Sequence, residues 1–136
     1  MQGFHVSSDP GRIDLDVVER LLRASYWAGT RSREIIERSL KNSACFGLYE
    51  QQSGRQIGLM RAVTDYATFV WLCDVVIEPE YRGRGLGKWM LESMLADPSL
   101  RHVRRWVLAT SDAHGFYRRY GFKPMDRDDR WMELVR

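Results

Sequence analysis

The stretch from Tyr81 to Met90, Y-R-G-R-G-L-G-K-W-M, constrains the fold more than any other part of the chain. It lies between an apolar run, Phe69 to Ile77, and an apolar pattern at helical spacing, Leu86 to Leu95. A strand, a glycine-rich turn and a helix in this order direct backbone N–H groups and the positive end of the helix dipole into one concavity. The basic side chains in the turn are those of Arg82, Arg84 and Lys88. The sequence therefore predicts a site for a phosphate-bearing ligand.

The spacing of the glycines excludes two common phosphate loops. A mononucleotide P-loop needs a glycine where this chain has Arg82, and a hydroxyl where it has Trp89. A dinucleotide fingerprint begins with Gly83 and Gly85, but Lys88 occupies its third glycine position. The ligand is therefore expected to belong to neither class.

The spacing Arg-x-x-Gly-x-Gly, formed by Arg82, Gly85 and Gly87, resembles the acetyl-CoA diphosphate loop of the GNAT superfamily of N-acetyltransferases. The approach from Val75 to Tyr81 is similar to the strand and lead-in before that loop in the family. The resemblance implies acetyl-CoA as co-substrate, with the Val75 N–H at the developing oxyanion and the main chain of Ile77 at the pantetheine arm. The residues expected to contact acetyl-CoA are Val75, Ile77, Arg82, Gly83, Arg84, Gly85, Leu86, Gly87, Lys88 and Thr110.

A second motif follows, in which Ala113, Tyr117, Gly121 and Phe122 match the family signature Tyr-x-x-x-Gly-Phe and its preceding alanine. The resemblance implies that Tyr117 is the general acid at the cofactor sulfur. The chemistry agrees, because aminolysis of a thioester expels a thiolate, and proton transfer from a placed group contributes ~10²–10⁴ in rate. The alternative is an aromatic side chain that only packs the helix onto the sheet. Thr110 stands where the family often has an asparagine, and its hydroxyl is the candidate replacement for that contact.

Hydrophobic periodicity predicts the element order β-α-α-β-β-β-α-β-α-β-β. No repeat or linker divides the chain, so residues 1–136 are expected to form one acetyltransferase domain. The order matches that of the GNAT fold, so the resemblance implies an α/β (α+β) fold. Its sheet would be mixed and mostly antiparallel, with a splayed parallel pair at the centre and helices on both faces.

The element bounds follow from the same patterns. The predicted strands are Phe4–Val6, Ala44–Tyr49, Gln56–Val63, Phe69–Ile77, Trp106–Ala109 and a last hairpin, made of Phe122 with its neighbours and of Trp131–Val135, around the charged turn Asp126–Arg130. The predicted helices are Asp14–Ala24, Ser32–Lys41, Leu86 to about Asp97, and Ala113–Tyr120, the last with Asp112 as its cap.

Acetyl transfer to an amine also needs a neutral nucleophile. A lysine-like amine of pKa ~10.4 costs about 4–5 kcal/mol to deprotonate at pH 7, so a base, or a water chain to one, is expected. The candidates are Asp74 and Glu78, which flank the expected oxyanion position. Asp74 lies in a very apolar strand, where a buried carboxylate needs a partner, so a structural salt bridge with an arginine is the alternative. A bulge, as in the family, would change the face that Asp74 takes.

The acceptor pocket is expected between the first two helices and the central strand. The residues nominated for it are Tyr26, Trp27, Asp65, Tyr66 and Trp71. Aromatic rings with an acidic group suit a cationic amine, through cation–π contact and charge. The expected reaction is direct acetylation of a primary amine, first of all a small molecule. The alternatives are a protein lysine or N-terminus as acceptor, and a non-catalytic CoA-binding regulatory domain.

Composition narrows the remaining classes of function, partner and cellular location. The net charge of +3 is mild, and no aromatic-plus-basic signature of an RNA-recognition motif is present, so no nucleic-acid partner is expected. No apolar run approaches ~20 residues, and the first ten residues do not resemble a secretion signal. Cys45 and Cys73 are expected to be buried thiols, and no metal-ligand spacing is present. A cytoplasmic enzyme without a metal is the expectation, and a homodimer remains open.

Overall fold

The computed structural model describes residues 1–136 as five strands and four α-helices. The strands are β1 (Phe4–Ser7), β2 (Ala44–Glu50), β3 (Gln56–Thr64), β4 (Phe69–Ile77) and β5 (Arg105–Leu108), and the helices are α1 (Leu15–Arg23), α2 (Arg33–Lys41), α3 (Leu86–Ala96) and α4 (His114–Arg118). Short 3-10 turns cover Pro10–Arg12, Pro79–Tyr81 and Asp128–Arg130. None of the helices has the length and apolarity that a membrane crossing requires.

The five strands form one sheet, in which their spatial order follows the chain. Strands β1 to β4 pair antiparallel, and β4 pairs parallel with β5. The parallel register runs from Phe69 opposite Arg105 to Leu72 opposite Leu108, where β5 ends. Strand β4 continues to Ile77 without β5 beside it, so the two strands leave a gap at this end. The predicted sheet, mostly antiparallel with one parallel pair, is confirmed.

An extra residue interrupts β4 at the point where β5 ends. Leu59 of β3 pairs with Val76, but Arg61 pairs with Cys73, so β4 uses one more residue than β3 over this interval. This is a β-bulge. Asp74 lies within it with a φ of 49°, a left-handed conformation that non-glycine residues adopt in only a few per cent of cases.

The core lies on both faces of the sheet, as the continuous apolarity of β4 predicts. On one face, α3 and Tyr117 pack against alternate residues of the strands, including Met60, Val70 and Leu72. On the other face, α1, α2 and the loop between them contribute to a smaller cluster, which consists of Val18, Leu21, Leu22, Ala28, Ile36, Cys45, Leu59 and Val76. Side-chain oxygens cap both of these helices, since Asp14 accepts from the N–H of Val17 and Ser32 from that of Ile35.

The predicted last hairpin is wrong. No strand follows β5, and the residues after α4 form loop and a single 3-10 turn, Asp128–Arg130. Trp131 instead stacks on Phe69 of β4, with ring centroids 6.4 Å apart. Alternating apolar residues give strand propensity, but a strand also needs a partner edge, and local pattern does not supply that. As a consequence β5 is an edge strand, and the parallel pair lies at one side of the sheet rather than at its centre.

Candidate active site

The glycine-rich loop before α3 offers a continuous row of hydrogen-bond donors. The backbone N–H groups of Gly83 through Lys88 donate to no protein acceptor, and the first one used within the helix is that of Trp89, bonded to the Gly85 carbonyl at 3.1 Å. Gly83 and Gly85 both have a φ of 77°, a backbone conformation that would be strained for a residue with a side chain. A Cβ at either position would point into open space, so the loop backbone faces outward. These donors and the helix dipole fit a diphosphate group.

Basic side chains surround this loop. Arg82 donates its Nε hydrogen to the carbonyl of Ile77 at 3.0 Å, which ties the loop to the end of β4. Arg84 bonds the Glu80 carbonyl at 3.3 Å and lies over the Tyr81 ring, and Lys88 lies 3.9 Å from Glu92. All three basic residues are exposed, so their charge remains available to an anion. The structure thus brings the predicted loop residues together at one end of β4.

Val75 and Ile77 lie between this loop and the bulge at Asp74. Their side chains pack against the core on the α3 face. Both residues lie beyond Leu72, the last residue of β4 that pairs with β5. Their main chain therefore runs along the gap between the parallel strands, where a bound group could reach it.

Tyr117 is buried in α4, and its place explains the spacing of the second motif. Its N–H bonds the Ala113 carbonyl at 3.2 Å, and its carbonyl accepts from the N–H of Phe122 at 3.3 Å. Gly121 makes this return possible with a φ of 90°. The Tyr117 ring packs edge-on against those of Phe116 and Phe122, at 5.0 Å and 5.7 Å.

The Tyr117 hydroxyl is a free donor. It makes no hydrogen bond within the protein. Every fully buried polar side-chain atom of the protein has a hydrogen-bond partner, so the Tyr117 hydroxyl oxygen is not fully buried and solvent can reach it. Burial, followed by the nearby charges of Asp112 and Tyr26, raises the pKa of Tyr117 to about 12. The phenol is therefore protonated at neutral pH and can donate to a substrate atom.

The cap of α4 differs from the prediction. The side chain of Asp112 makes no capping hydrogen bond, and the hydroxyl oxygen of Thr110 accepts from the N–H groups of Ala113 at 3.1 Å and Asp112 at 3.4 Å. Asp112 as cap is therefore wrong. The sequence could not decide this, because an aspartate and a threonine side chain can both accept a hydrogen bond from a backbone N–H a few residues later. Because the Thr110 hydroxyl is the acceptor in these two bonds, its own hydrogen is still available to donate.

Asp74 holds three partners on the face of α1 and α2. One carboxylate oxygen accepts from Trp27 Nε1 at 2.8 Å, and the other accepts from Arg31 and from Arg61 Nε, both at 2.8 Å. Burial opposes its ionisation and is the largest single influence, but the hydrogen bond from Arg31 and the charge of Arg61 outweigh it, and the pKa of Asp74 is lowered. Arg61 also bonds the Ser43 hydroxyl at 3.0 Å. This geometry favours the structural salt bridge over a proton-accepting role.

Glu78, the other candidate base, is likewise buried and paired. Its carboxylate accepts a hydrogen bond from Arg20 of α1, and Arg55 lies 3.9 Å away. The hydrogen bond from Arg20 is the main reason why the pKa of Glu78 is lowered. Both candidate bases are therefore ionised carboxylates that already form ion pairs with arginines.

The loop between α1 and α2 reaches across to the loop that precedes α4. The rings of Tyr26 and Trp27 pack edge to face at 4.9 Å, and Trp27 is held by Asp74. The Tyr26 hydroxyl accepts from the Ser111 hydroxyl at 2.8 Å. Tyr26, Trp27 and Trp71 are all exposed, so this face of β4 carries open aromatic surface.

Asp65 and Tyr66 lie elsewhere, in the turn before β4 and at the opposite end of that strand from Asp74. The Asp65 carboxylate accepts from the N–H groups of Ala67 and Thr68 and from the Thr68 hydroxyl. The hydrogen bond from the Thr68 side chain, with those from the backbone, holds the pKa of Asp65 far below its usual range. Asp65 therefore stabilises its own turn, and the structure does not bring these two residues to the site.

Sequence reasoning missed Arg31, Arg61 and Ser111. A signal existed for Arg61, because it is the one charged residue in the apolar run of β3, just as Asp74 is in β4. Two opposite charges in neighbouring apolar strands are expected to pair, since an isolated buried charge is very costly. Arg31 and Ser111 lie in loops, and nothing in their local sequence indicates their contacts.

Comparison with known proteins decides the family. Residues 41–124 match the family described as Acetyltransferase (GNAT) domain. The chain belongs to the GNAT family. This GNAT chain is 34% identical over 142 residues to an acetyltransferase of Gibberella zeae, covering 88% of this chain and 79% of the relative. A solved GNAT structure from Xanthomonas campestris pv. campestris has 40% identity and a TM-score of 0.93, covering 99% of this chain and 94% of that one.

A third relative is the chloroplastic serotonin N-acetyltransferase 2 of Oryza sativa subsp. japonica, 32% identical over 93% of this chain and 64% of its own length. The chain spans only 40% of the Arabidopsis thaliana GCN5-related N-acetyltransferase 2 and 30% of the Glycine max histone acetyltransferase TAP1. Membership of the GNAT family makes the chain an acyl-CoA-dependent N-acetyltransferase, and acetyl-CoA is the acyl donor of that family.

The substitution Asp74→Asn tests the structural role of Asp74. It leaves Arg31 and Arg61 without their counter-charge, and removal of one partner of a buried ion pair destabilises a protein by about 3–5 kcal/mol. The pKa of Asp74 is lower in the folded protein than in the unfolded chain. Its ionised carboxylate therefore stabilises the folded state at pH values above the ordinary carboxyl pKa, and this stabilisation is lost as the pH falls through the pKa of Asp74 in the folded protein. Urea unfolding is therefore expected to show the largest difference from wild type at neutral pH and a smaller one in acid.

The matched control is Asp129→Asn, which removes an exposed carboxylate that forms no ion pair. Its free energy of unfolding is expected to stay within about 0.5 kcal/mol of wild type. Equal effects of the two substitutions, or a loss for Asp74→Asn that does not change with pH, would contradict the structural assignment.

Proposed function

We propose that this GNAT chain transfers the acetyl group of acetyl-CoA to the primary amine of a small molecule with an aromatic or apolar group, by direct attack within a ternary complex. The observation that carries the proposal is the row of unpaired N–H groups from Gly83 to Lys88, placed where β4 separates from β5. A diphosphate bound there leaves the rest of its molecule beside the gap, and we place its thioester near Tyr117.

The donor-binding roles follow from this placement. The loop N–H groups bind the diphosphate, and the side chains of Arg82, Arg84 and Lys88 add charge. The Val75 N–H is proposed to stabilise the oxyanion that develops on the acetyl carbonyl, and one such donor is worth ~10²–10³ in rate. The main chain of Ile77 is proposed to bind the pantetheine arm. In support, both residues lie in the part of β4 that is not paired with β5.

Tyr117 is proposed to donate its hydrogen to the leaving sulfur. Its pKa of about 12 exceeds that of an ordinary thiol, ~8.5, so complete proton transfer to a thiolate is uphill by several kcal/mol. The phenol therefore stabilises the thiolate mainly through a hydrogen bond. Thr110, at the start of the same helix segment, is proposed to contact the donor with its free hydroxyl hydrogen.

The amine is proposed to enter as its neutral form. Protonation of Asp74 or Glu78 would break the ion pairs that each carboxylate forms with arginines, so neither is suited to accept the proton of the amine. We assign both residues to positioning the loop between α1 and α2 and the end of β4. The proton of the amine leaves to solvent, through water in the open face of the site.

The acceptor is proposed to contact Tyr26, Trp27 and Trp71, whose exposed rings can stack on an aromatic group or attract an amine. The rice relative is named for serotonin, an aromatic amine, which agrees with this surface. The second candidate is a lysine or N-terminus of a protein. The openness of the aromatic face favours it, and the soybean relative is named as a histone acetyltransferase.

An acceptor screen tests the proposal, with acetyl-CoA as donor and free thiol as the measured product. Tryptamine and 2-phenylethylamine are expected to give kcat/KM values roughly two- to tenfold above that of propylamine, because ring stacking adds about 0.5–1.5 kcal/mol. Lysine peptides and peptides with free α-amino groups form the second arm. Faster turnover of the peptides would replace the small-molecule acceptor by a protein, and no turnover with any amine would overturn the proposal.

The role of Tyr117 is tested by Tyr117→Phe, which removes the hydroxyl and keeps the buried ring. We expect kcat to fall by about 10²-fold or more with little change in the KM for acetyl-CoA, because the hydrogen bond forms mainly as the thiolate leaves. The matched control is Tyr120→Phe, in the same segment, whose hydroxyl bonds only Glu92 at 3.1 Å. A Tyr117→Phe enzyme with wild-type kcat would remove the proposed hydrogen bond from Tyr117 to the leaving sulfur.

The pH dependence tests the entry of a neutral amine. We expect log(kcat/KM) to rise with pH with a slope of about 1 up to the pKa of the acceptor, since the neutral fraction grows tenfold per unit. Burial raises the pKa of Tyr117, so the phenol keeps its proton over the assay range and causes no fall there. The measurement is the steady-state kinetics of two amines that differ in pKa. A plateau of kcat/KM that begins well below the pKa of the amine would instead show that the enzyme supplies a base.

A further inference from the structure

Three charged side chains beside the exposed ring of Trp27 carry more positive than negative charge. Asp74 is the one carboxylate among them, and Arg31 and Arg61 both donate to the same oxygen of it at 2.8 Å. The two donor nitrogens therefore lie no more than twice 2.8 Å apart. Neither arginine forms an ion pair with any other residue, so one positive charge is left without a counter-charge. We call Arg31, Arg61 and Asp74 the arginine cluster.

The arginine cluster is largely shielded from water. The side chains of Arg31, Arg61 and Asp74 are 24%, 8% and 1% exposed. Charges in such surroundings are screened much less than charges on an open surface, so they attract an opposite charge more strongly. The surplus charge of the cluster therefore favours an anionic group in a bound molecule.

Arg31 has the hydrogen-bond donors that such a group needs. Only its Nη1 donates to Asp74, while Nε and Nη2, whose N–H groups run parallel, make no hydrogen bond within the protein. Every fully buried polar side-chain atom has a partner, so these two nitrogens are within reach of solvent. A parallel pair of N–H groups on a guanidinium matches the two oxygens of a carboxylate.

The position of Arg31 relates this free pair of donors to the proposed reaction. The second oxygen of Asp74 accepts from Trp27 Nε1 at 2.8 Å, so one carboxylate holds both the Arg31 guanidinium and the Trp27 ring. The next residue along β4 is Val75, the proposed donor to the acetyl carbonyl. Asp65, the acidic residue nominated for this pocket from the sequence, lies in the turn before β4 instead. The charge beside Trp27 is thus positive, opposite to the expected one.

From this arrangement we infer that the acceptor is an amine that also carries a carboxylate, in the simplest case an aromatic α-amino acid, and that Arg31 binds the carboxylate. The inference rests on the proposed function and narrows its acceptor. The aromatic ring contacts Trp27, and the amine, one carbon atom away from the carboxylate, attacks the acetyl carbon. The C–N bond forms and the C–S bond breaks as proposed above, and the amine proton leaves to solvent. Arg31 then determines specificity, and Asp74 positions it.

Three acceptors with the same ring test the inference: tryptophan, tryptophanamide and tryptamine. Their amines differ in pKa, so kcat/KM with acetyl-CoA is calculated per neutral amine. Wild type is expected to prefer tryptophan to the other two by about tenfold or more, the effect of one hydrogen bond to a charged group. Equal values for the three acceptors, or a preference for tryptamine, would overturn the inference.

The substitution Arg31→Gln tests the assigned residue. The ratio of kcat/KM for tryptophan to that for tryptamine is expected to fall to about one, mainly through a higher KM for tryptophan. A loss of folded enzyme lowers both values equally and cancels in this ratio. The matched control is Arg23→Gln, at the exposed end of α1, where the nearest carboxylate is that of Glu19 at 3.9 Å. It removes the same charge and is expected to keep the wild-type ratio, whereas a preference that survives Arg31→Gln contradicts the assignment.

A binding measurement separates this inference from the proposed function. Titration calorimetry with the two products, in the presence of CoA, is expected to show N-acetyltryptophan bound about tenfold more tightly than N-acetyltryptamine by wild type and equally by Arg31→Gln. Absence of turnover with every amine would overturn the proposed function. Turnover of tryptamine together with equal binding of the two products by wild type would leave the proposed function standing and overturn only the carboxylate site.

Discussion

The ion pairs of Asp74 are the constraint on which the rest of the site depends. A single extra residue in β4 holds Asp74 at a positive φ and turns its carboxylate to Arg31, Arg61 and Trp27. A buried carboxylate without those partners would be too costly to keep ionised. The same bulge lies just past the last paired residues of β4 and β5, so the carboxylate stabilises the strained backbone at the point where the two strands separate.

Both faces of the sheet therefore contribute residues to the proposed site. The face of α3 supplies the glycine-rich loop and Tyr117, and the face of α1 and α2 supplies Tyr26 and Trp27 through the loop that Asp74 holds. The hydrogen bond between Tyr26 and Ser111 joins the two sides. Chemistry at this gap needs donors that are aimed before the substrate arrives, and unpaired main-chain N–H groups on a rigid helix start meet that need without any side-chain reorganisation.

Prediction from sequence succeeded where short-range patterns carry the physics. The strands and helices that flank Gly83 and Gly85 lie close to their predicted bounds, because amphipathic period and turn chemistry are local. It failed for the last hairpin, since the alternation of Trp131–Val135 indicates a strand but not whose edge it joins. It also placed Asp65 in the site, although this carboxylate closes its own turn. Asp74 was recognised as a buried charge that needs a partner, but its arginines come from distant parts of the chain.

The amino-acid sequence alone indicated the family, the glycine-rich loop that we propose for the acetyl donor, and the place of Tyr117 in the motif after β5. Each of these features is encoded in a run of a few residues, because the turn, the charges and the helix start within it interact over a short distance along the chain. The tertiary structure alone decided which carboxylates are held by arginines, which aromatic rings stay exposed and which strand edge stays open. Those outcomes depend on contacts between residues some 13 to 85 positions apart, as for Arg61 with Asp74 and Tyr26 with Ser111, and only the packed sheet brings such residues together.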